Sequence, residues 1–127
     1  MRRRILVVCV LFLSSAVPGG AGAHHSVGGE FDTVNVTVAG AVRELHLINP
    51  HSYIVLDVGA DGGAAEQWTL TMGPATKLIR GGGWTPDILK PGDRITVTGR
   101  RARRGLGLYV EELVTEDGRY LIQELEE

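Results

Sequence analysis

Two sets of residues in this chain have types and spacings that point to chemistry. They are the histidines His24, His25, His46 and His51, and the arginines Arg100, Arg101, Arg103 and Arg104. His24 and His25 follow Ala21-Gly22-Ala23, a small-residue pattern at which export signals are cut. A cut after Ala23 leaves His24 first, and its free amine and imidazole then chelate one ion from a single residue. A second imidazole, from His51 or His25, completes a T-shaped set of three nitrogens, the histidine brace of copper proteins. Nitrogen-only ligation suits copper best among first-row divalent ions, with zinc next. The amine binds only when deprotonated. Its ordinary pKa is about 7.7–8.0, so affinity falls as pH drops below neutral. In a second geometry the terminal amine, the following backbone amide and the His25 ring hold Cu(II) in a plane. The expected metal ligands are therefore His24, His25 and His51, with a copper ion as the cofactor and a handling or delivery role. Pro50 restricts the backbone leading into His51, and Asn49 is expected to hydrogen-bond within the same turn. His46 reads as an outward-pointing surface residue. The plainer alternative is that the terminal histidines are exposed and bind metals only adventitiously, with His51 capping its turn.

The arginines give a different class of function. They crowd the expected turn between the fourth and fifth strands, a loop that in OB barrels lines a face binding oligonucleotides or oligosaccharides. In an exported protein the matching anions are acidic glycans, lipid headgroups or an acidic partner protein. Binding through these residues weakens as ionic strength rises. The plainer alternative is a solvated hairpin whose charges guard against edge pairing. No catalytic constellation is recognisable. There is no Gly-x-Ser-x-Gly and no phosphate loop followed by Lys-Ser/Thr, so the chain does not read as an enzyme.

The first 23 residues read as an export signal. Arg2-Arg3-Arg4 is the positive n-region, Ile5 to Val17 the apolar run, and Pro18-Gly19-Gly20 ends it. The run is shorter than the about 20 apolar residues that span a bilayer. The only cysteine, Cys9, lies inside it and lacks the small residue expected before a lipidated cysteine. A periplasmic or secreted domain of residues 24–127 is expected, with no transmembrane segment after cleavage. Losing three of the 13 basic residues leaves ten against 15 acidic ones, a net charge of −5. An acidic domain lacks the basic footprint of a nucleic-acid binder. Losing Cys9 removes any disulfide or thiolate, so stability must come from the packed core.

These residues need positioning elements, and the chain supplies strands. Val34, Val36, Val38 and Val42 recur at period two, and Leu45 and Leu47 continue in the opposite register. Gly40 between them suggests a bulge or sharp bend in one long strand, which Asn49-Pro50 ends. Ile54, Leu56 and Val58 mark a second strand, and Ala60-Asp61-Gly62-Gly63 a hairpin turn. Trp68, Leu70 and Met72 mark a third. Pro74 to Arg80 is the only helix pattern, stopped by Gly81-Gly82-Gly83. After a loop over Trp84 to Leu89 and a turn at Lys90-Pro91-Gly92-Asp93 come a fourth strand, Arg94 to Thr98, and a fifth from about Leu106 to Val114. Asp117-Gly118 turns into a short last strand near Tyr120 to Gln123. A helix between the third and fourth strands of a small all-β chain predicts an OB-fold-like barrel of five to six strands. A half-open sandwich is the alternative. Leu78, Ile79 and Trp84 are expected to cover the core at one end, with Trp68 also a packing residue.

His24-His25-Ser26, Glu30-Phe31-Asp32, Asn49-Pro50-His51, Gly83-Trp84-Thr85 and Leu89-Lys90-Pro91-Gly92-Asp93 occur in a fixed order. Together they resemble a family of small exported bacterial proteins catalogued as a domain of unknown function, over nearly the whole mature chain. The resemblance implies an exported β-barrel and brings no established activity. Family members tend to carry an acidic residue shortly after the tryptophan of the third strand. This chain has Thr71 there, so any support that acid gives a site elsewhere in the family is missing.

Overall fold

The computed structural model describes residues 27–59 and 63–122. Its elements in order are α1 (Val27–Glu30), β1 (Phe31–His46), β2 (Tyr53–Val58), β3 (Glu66–Thr71), α2 (Ala75–Gly82), β4 (Arg94–Ala102), β5 (Gly107–Thr115) and β6 (Tyr120–Ile122). The Val- and Thr-rich composition of β1 suits a pleated, half-buried surface. At 16 residues it is far longer than the usual five or six. The length is used by two partners. Phe31 to Ala41 pairs with β4, and Gly40 to His46 pairs with β2, both antiparallel.

Gly40 stands where β1 passes from one partner to the other. It is in register with Val58, and a Cβ on it would lie 2.1 Å from the Asp57 carbonyl oxygen. The bulge expected at Gly40 falls between Val42 and Glu44 instead. Arg43 is the extra residue, and this switches the inward phase from Val42 to Leu45. Gly40 serves close backbone approach, the other role of a strand glycine. Gly99 does the same on β4, where a Cβ would lie 1.9 Å from the Tyr109 carbonyl oxygen.

The sheet order is β3-β2-β1-β4-β5-β6. It closes on itself through parallel pairing of Thr69, Leu70 and Thr71 with Gly107, Leu108 and Tyr109. Partners followed from His46 run through Tyr53, Thr71, Tyr109 and Arg100 to Asn35, eleven positions earlier on β1. Such an offset is the stagger that closing a small sheet requires. The structure is thus all-β in character, a ring-like sheet of six strands with its helix between the third and fourth, as the OB-like reading expects.

Ile54, Leu56, Leu70, Met72, Val97, Leu108 and Leu113 fill the ring. The α2 helix starts after Pro74 and ends at Gly83 in the left-handed region, φ 66°. It turns Ala75 and Leu78 inward, and Trp84 follows them into the core with its backbone N–H donated to the Leu78 carbonyl. Ile79, expected to share that work, is instead 48% exposed. Successive helical residues point about 100° apart, so the stripe carrying Ala75 and Leu78 leaves Ile79 facing solvent.

Ser52 ties the β1–β2 connection to the rest. It is fully buried, and its hydroxyl accepts the Ile48 N–H (3.2 Å) and donates to the Ile48 carbonyl (3.0 Å). Its backbone exchanges hydrogen bonds with Gly73 and Met72 (3.0 and 2.8 Å). At the far end the predicted hairpin at Asp117-Gly118 forms. The Thr115 hydroxyl donates to the Asp117 carboxylate and holds its pKa below the ordinary range, and Arg119 adds to the effect.

Two outcomes follow from this packing. Gly40→Ala or Gly99→Ala should each destabilise by about 1–3 kcal/mol or more, because backbone must separate to admit the methyl. Ser52→Ala leaves the Ile48 amide without its acceptor, while the Ile48 carbonyl keeps the Ala75 N–H, and should cost about 1–3 kcal/mol. Urea unfolding midpoints of the three variants against the parent chain measure both.

Candidate functional site

One open groove of about 890 Å³ lies where α1, β3 and the β4–β5 turn meet. Glu30, Phe31, Thr69, Thr71, Arg103 and Arg104 carry its side-chain chemistry. Backbone hydrogen bonds fix its walls. The Arg103 N–H donates to the Glu30 carbonyl (3.0 Å), and Arg103 Nε donates to the Phe31 carbonyl (3.3 Å). The Thr69 N–H donates to the Leu106 carbonyl (3.1 Å), which ties the turn to β3. Gly105 supplies the turn with φ 72°. The α1 turn and the start of β1 at Phe31 were not legible in the sequence pattern. Phe31 is nonetheless buried, with its ring edge-on to Tyr109 at 5.5 Å. An aromatic residue beside the turn signal Gly28-Gly29 was the available hint.

The four arginines do not share one turn. Because β4 continues to Ala102 rather than ending near Thr98, Arg100 and Arg101 are strand residues, and alternation sends them to opposite faces. Arg100 lies over the Tyr109 ring at 5.3 Å, with Nε 3.5 Å from Glu111 Oε1, close enough for ion pairing but not aligned for a hydrogen bond. Glu111 also accepts from Asn35 Nδ2 at 2.7 Å. Arg101 covers the Trp68 ring at 5.4 Å. Only Arg103 and Arg104 line the groove, and both are exposed.

Of the histidines, His24 and His25 lie outside the described residues. His51 is exposed in the β1–β2 loop, after a cis Asn49–Pro50 peptide. Asn49 does not bond within its own turn as expected. Its Oδ1 accepts the Thr76 N–H at 3.3 Å, and the neighbouring Ile48 carbonyl accepts the Ala75 N–H at 3.0 Å. The loop thereby caps α2, whose own N-cap, Pro74, has no side-chain acceptor. His46 is half-buried and stacks on Tyr53, with centroids 4.5 Å apart and planes 16° apart. Its Nε2 lies 2.7 Å from Glu44 Oε2. Among the described residues, no three His, Cys, Asp or Glu side chains converge on a point that would hold a metal ion.

His46, Tyr53, Thr71, Tyr109, Arg100 and Asn35 form one cross-strand row around the ring. Thr71, where the family resemblance expects an acid, sits in the middle of that row and in the floor of the groove. The end of α1 meets the row at Tyr109, through Phe31, the first residue of β1. The β1–β2 loop adjoins the His46–Tyr53 end of the row.

Comparison with curated proteins finds no match. The profile of a family described as a family of unknown function (DUF6152) matches residues 11–109, more than three quarters of the chain. That span takes in β1 to β4, α2 and the first residues of β5, including the β4–β5 turn of the groove. The chain belongs to DUF6152, a family of unknown function.

Proposed function

We propose that the chain is a binding module whose groove takes an anionic, hydroxyl-rich ligand, of which an acidic saccharide is the fitting class. The observation that carries this reading is the convergence of Arg103 and Arg104 with the Thr69 and Thr71 positions around one open groove. A guanidinium offers paired N–H donors that match a carboxylate. A threonine hydroxyl donates or accepts, so it suits sugar hydroxyls. Loops at this end of OB-type sheets bind oligosaccharides, which supports the reading by analogy. Calorimetric titration with an oligogalacturonate tests it. Affinity should fall at least tenfold as salt rises from roughly 50 to roughly 500 mM. Arg104→Ala should weaken binding severalfold in low salt without shifting the melting temperature. Equal affinity for a neutral oligosaccharide, or indifference to salt and to Arg104→Ala, overturns the reading.

A second reading, copper held by His24, His25 and His51, is supported by the stagger of the sheet. Tyr109, against which Phe31 packs, is only two strands from Tyr53, a spacing of about 10 Å. The three residues back from Val27 to His24 reach up to about 10 Å. The reading requires the chain to run back from Val27 toward the loop that carries His51. Intact mass followed by Cu(II) titration in native mass spectrometry tests this on one sample. A start at His24 and one tightly held copper, lost in His24→Ala and His51→Ala, is the expected result. Another start, or weak binding untouched by those variants, overturns it.

A further inference from the structure

The first half of β1 has a free edge. Phe31 and residues 35–41 pair with β4 on one side, with a register shift over residues 32–34, but β2 pairs only from Gly40 onward. Among the described residues, no strand pairs with the other side of residues 33–39. That run, Thr33-Val34-Asn35-Val36-Thr37-Val38-Ala39, has no charge, no proline and no glycine. It lacks the lysine or proline by which exposed edges usually resist pairing. Val34 is 60% exposed, the most exposed of the large apolar side chains among the described residues.

We propose that this edge is the interface for a second copy of the chain. Two copies pair antiparallel about a two-fold axis through Val36, extending each sheet with the other's β1. Such a contact needs a self-complementary surface, because every residue meets one from the same run. The sequence around Val36 meets that requirement. Val36 faces Val36 of the second copy, Asn35 faces Thr37, and Val34, where the strand leaves its register shift, faces Val38. One face is then a ladder of β-branched pairs that covers the exposed Val34. The other face sets the Asn35 amide, which already donates to Glu111, beside the Thr37 hydroxyl, which already bonds Thr98. Cross-strand pairs of both kinds are favourable. No charged residue lies within the paired run, so no like charges meet. Asp32 and Arg43 stand outside it at either end. The free backbone donors and acceptors of the edge gain partners at the same time.

Sedimentation equilibrium of the purified chain over a range of concentrations tests the proposal. The expected mass is twice that of the chain. Val34→Lys, at an already exposed position, should give the monomer mass with an unchanged circular dichroism spectrum. Val34→Thr, which keeps the β-branched shape, should stay dimeric. Facing residues in an antiparallel pair have Cα atoms about 4.5–5.5 Å apart, within disulfide range. Val36→Cys should therefore give a covalent dimer on mild oxidation, whereas Val55→Cys on β2 should not. A monomer at every concentration overturns the proposal. So does a dimer that survives Val34→Lys and is not trapped through Val36→Cys, since it must use another surface.

Discussion

Three residue pairs, Thr69 with Gly107, Leu70 with Leu108 and Thr71 with Tyr109, join the last edge of the meander to the fifth strand. The molecule's layout depends on this short parallel contact. A parallel pairing of so few residues is weak by itself, yet it sets the stagger of the whole ring. That stagger brings the start of β1 and the loop after its end to the same side of the sheet. Glycine occupies the tightest points of approach. A Cβ on Gly107 would lie 2.8 Å from the Thr69 carbonyl, and the approaches at Gly40 and Gly99 are closer still. The curvature of this small sheet therefore rests on three positions that carry no side chain.

Once the sheet is closed, five of its arginines are already engaged. Arg43 binds Asp57, Arg119 binds Asp117, Arg100 meets Glu111 and Tyr109, and Arg101 covers Trp68. Arg103 uses its Nε to hold the strand that enters beside it. The positive character of the groove is thus a local property of one turn on an acidic chain, and net charge does not report it.

The strands were legible because their buried positions alternate, as Ile54 and Leu56 or Ile95 and Val97 do. The helix was legible from Pro74 at its start and the glycines at its end. Gly40 was legible as a special position but not as a point of backbone contact, because a bulge and a close approach leave the same mark in a sequence. The length of β4 was not legible. Arg100 to Ala102 have no apolar alternation to extend the pattern, and their strand conformation is imposed by β5. Asn49 was misread for a related reason. Its acceptor serves a helix that begins 26 residues later, and a local turn rule cannot see a partner brought near by the fold. The arginines and histidines were legible as chemistry, but their grouping depends on strand alternation and on the stagger.

The pairing of β1 with β4 also has a consequence in time. Phe31 and Ala102 are partners separated by most of the described chain, whereas His46 and Tyr53 are close neighbours in sequence. A ribosome adding roughly 5–20 residues each second needs several seconds to make the interval between Phe31 and Ala102. Throughout that interval the later half of β1 can fold against β2, while the earlier half has no strand of its own chain to join. Long-range pairing of this kind is slow and leaves apolar strands open to wrong partners. The part of β1 that is synthesised first is the last to be completed, and its uncharged run is the segment that a nascent chain has most need to shield.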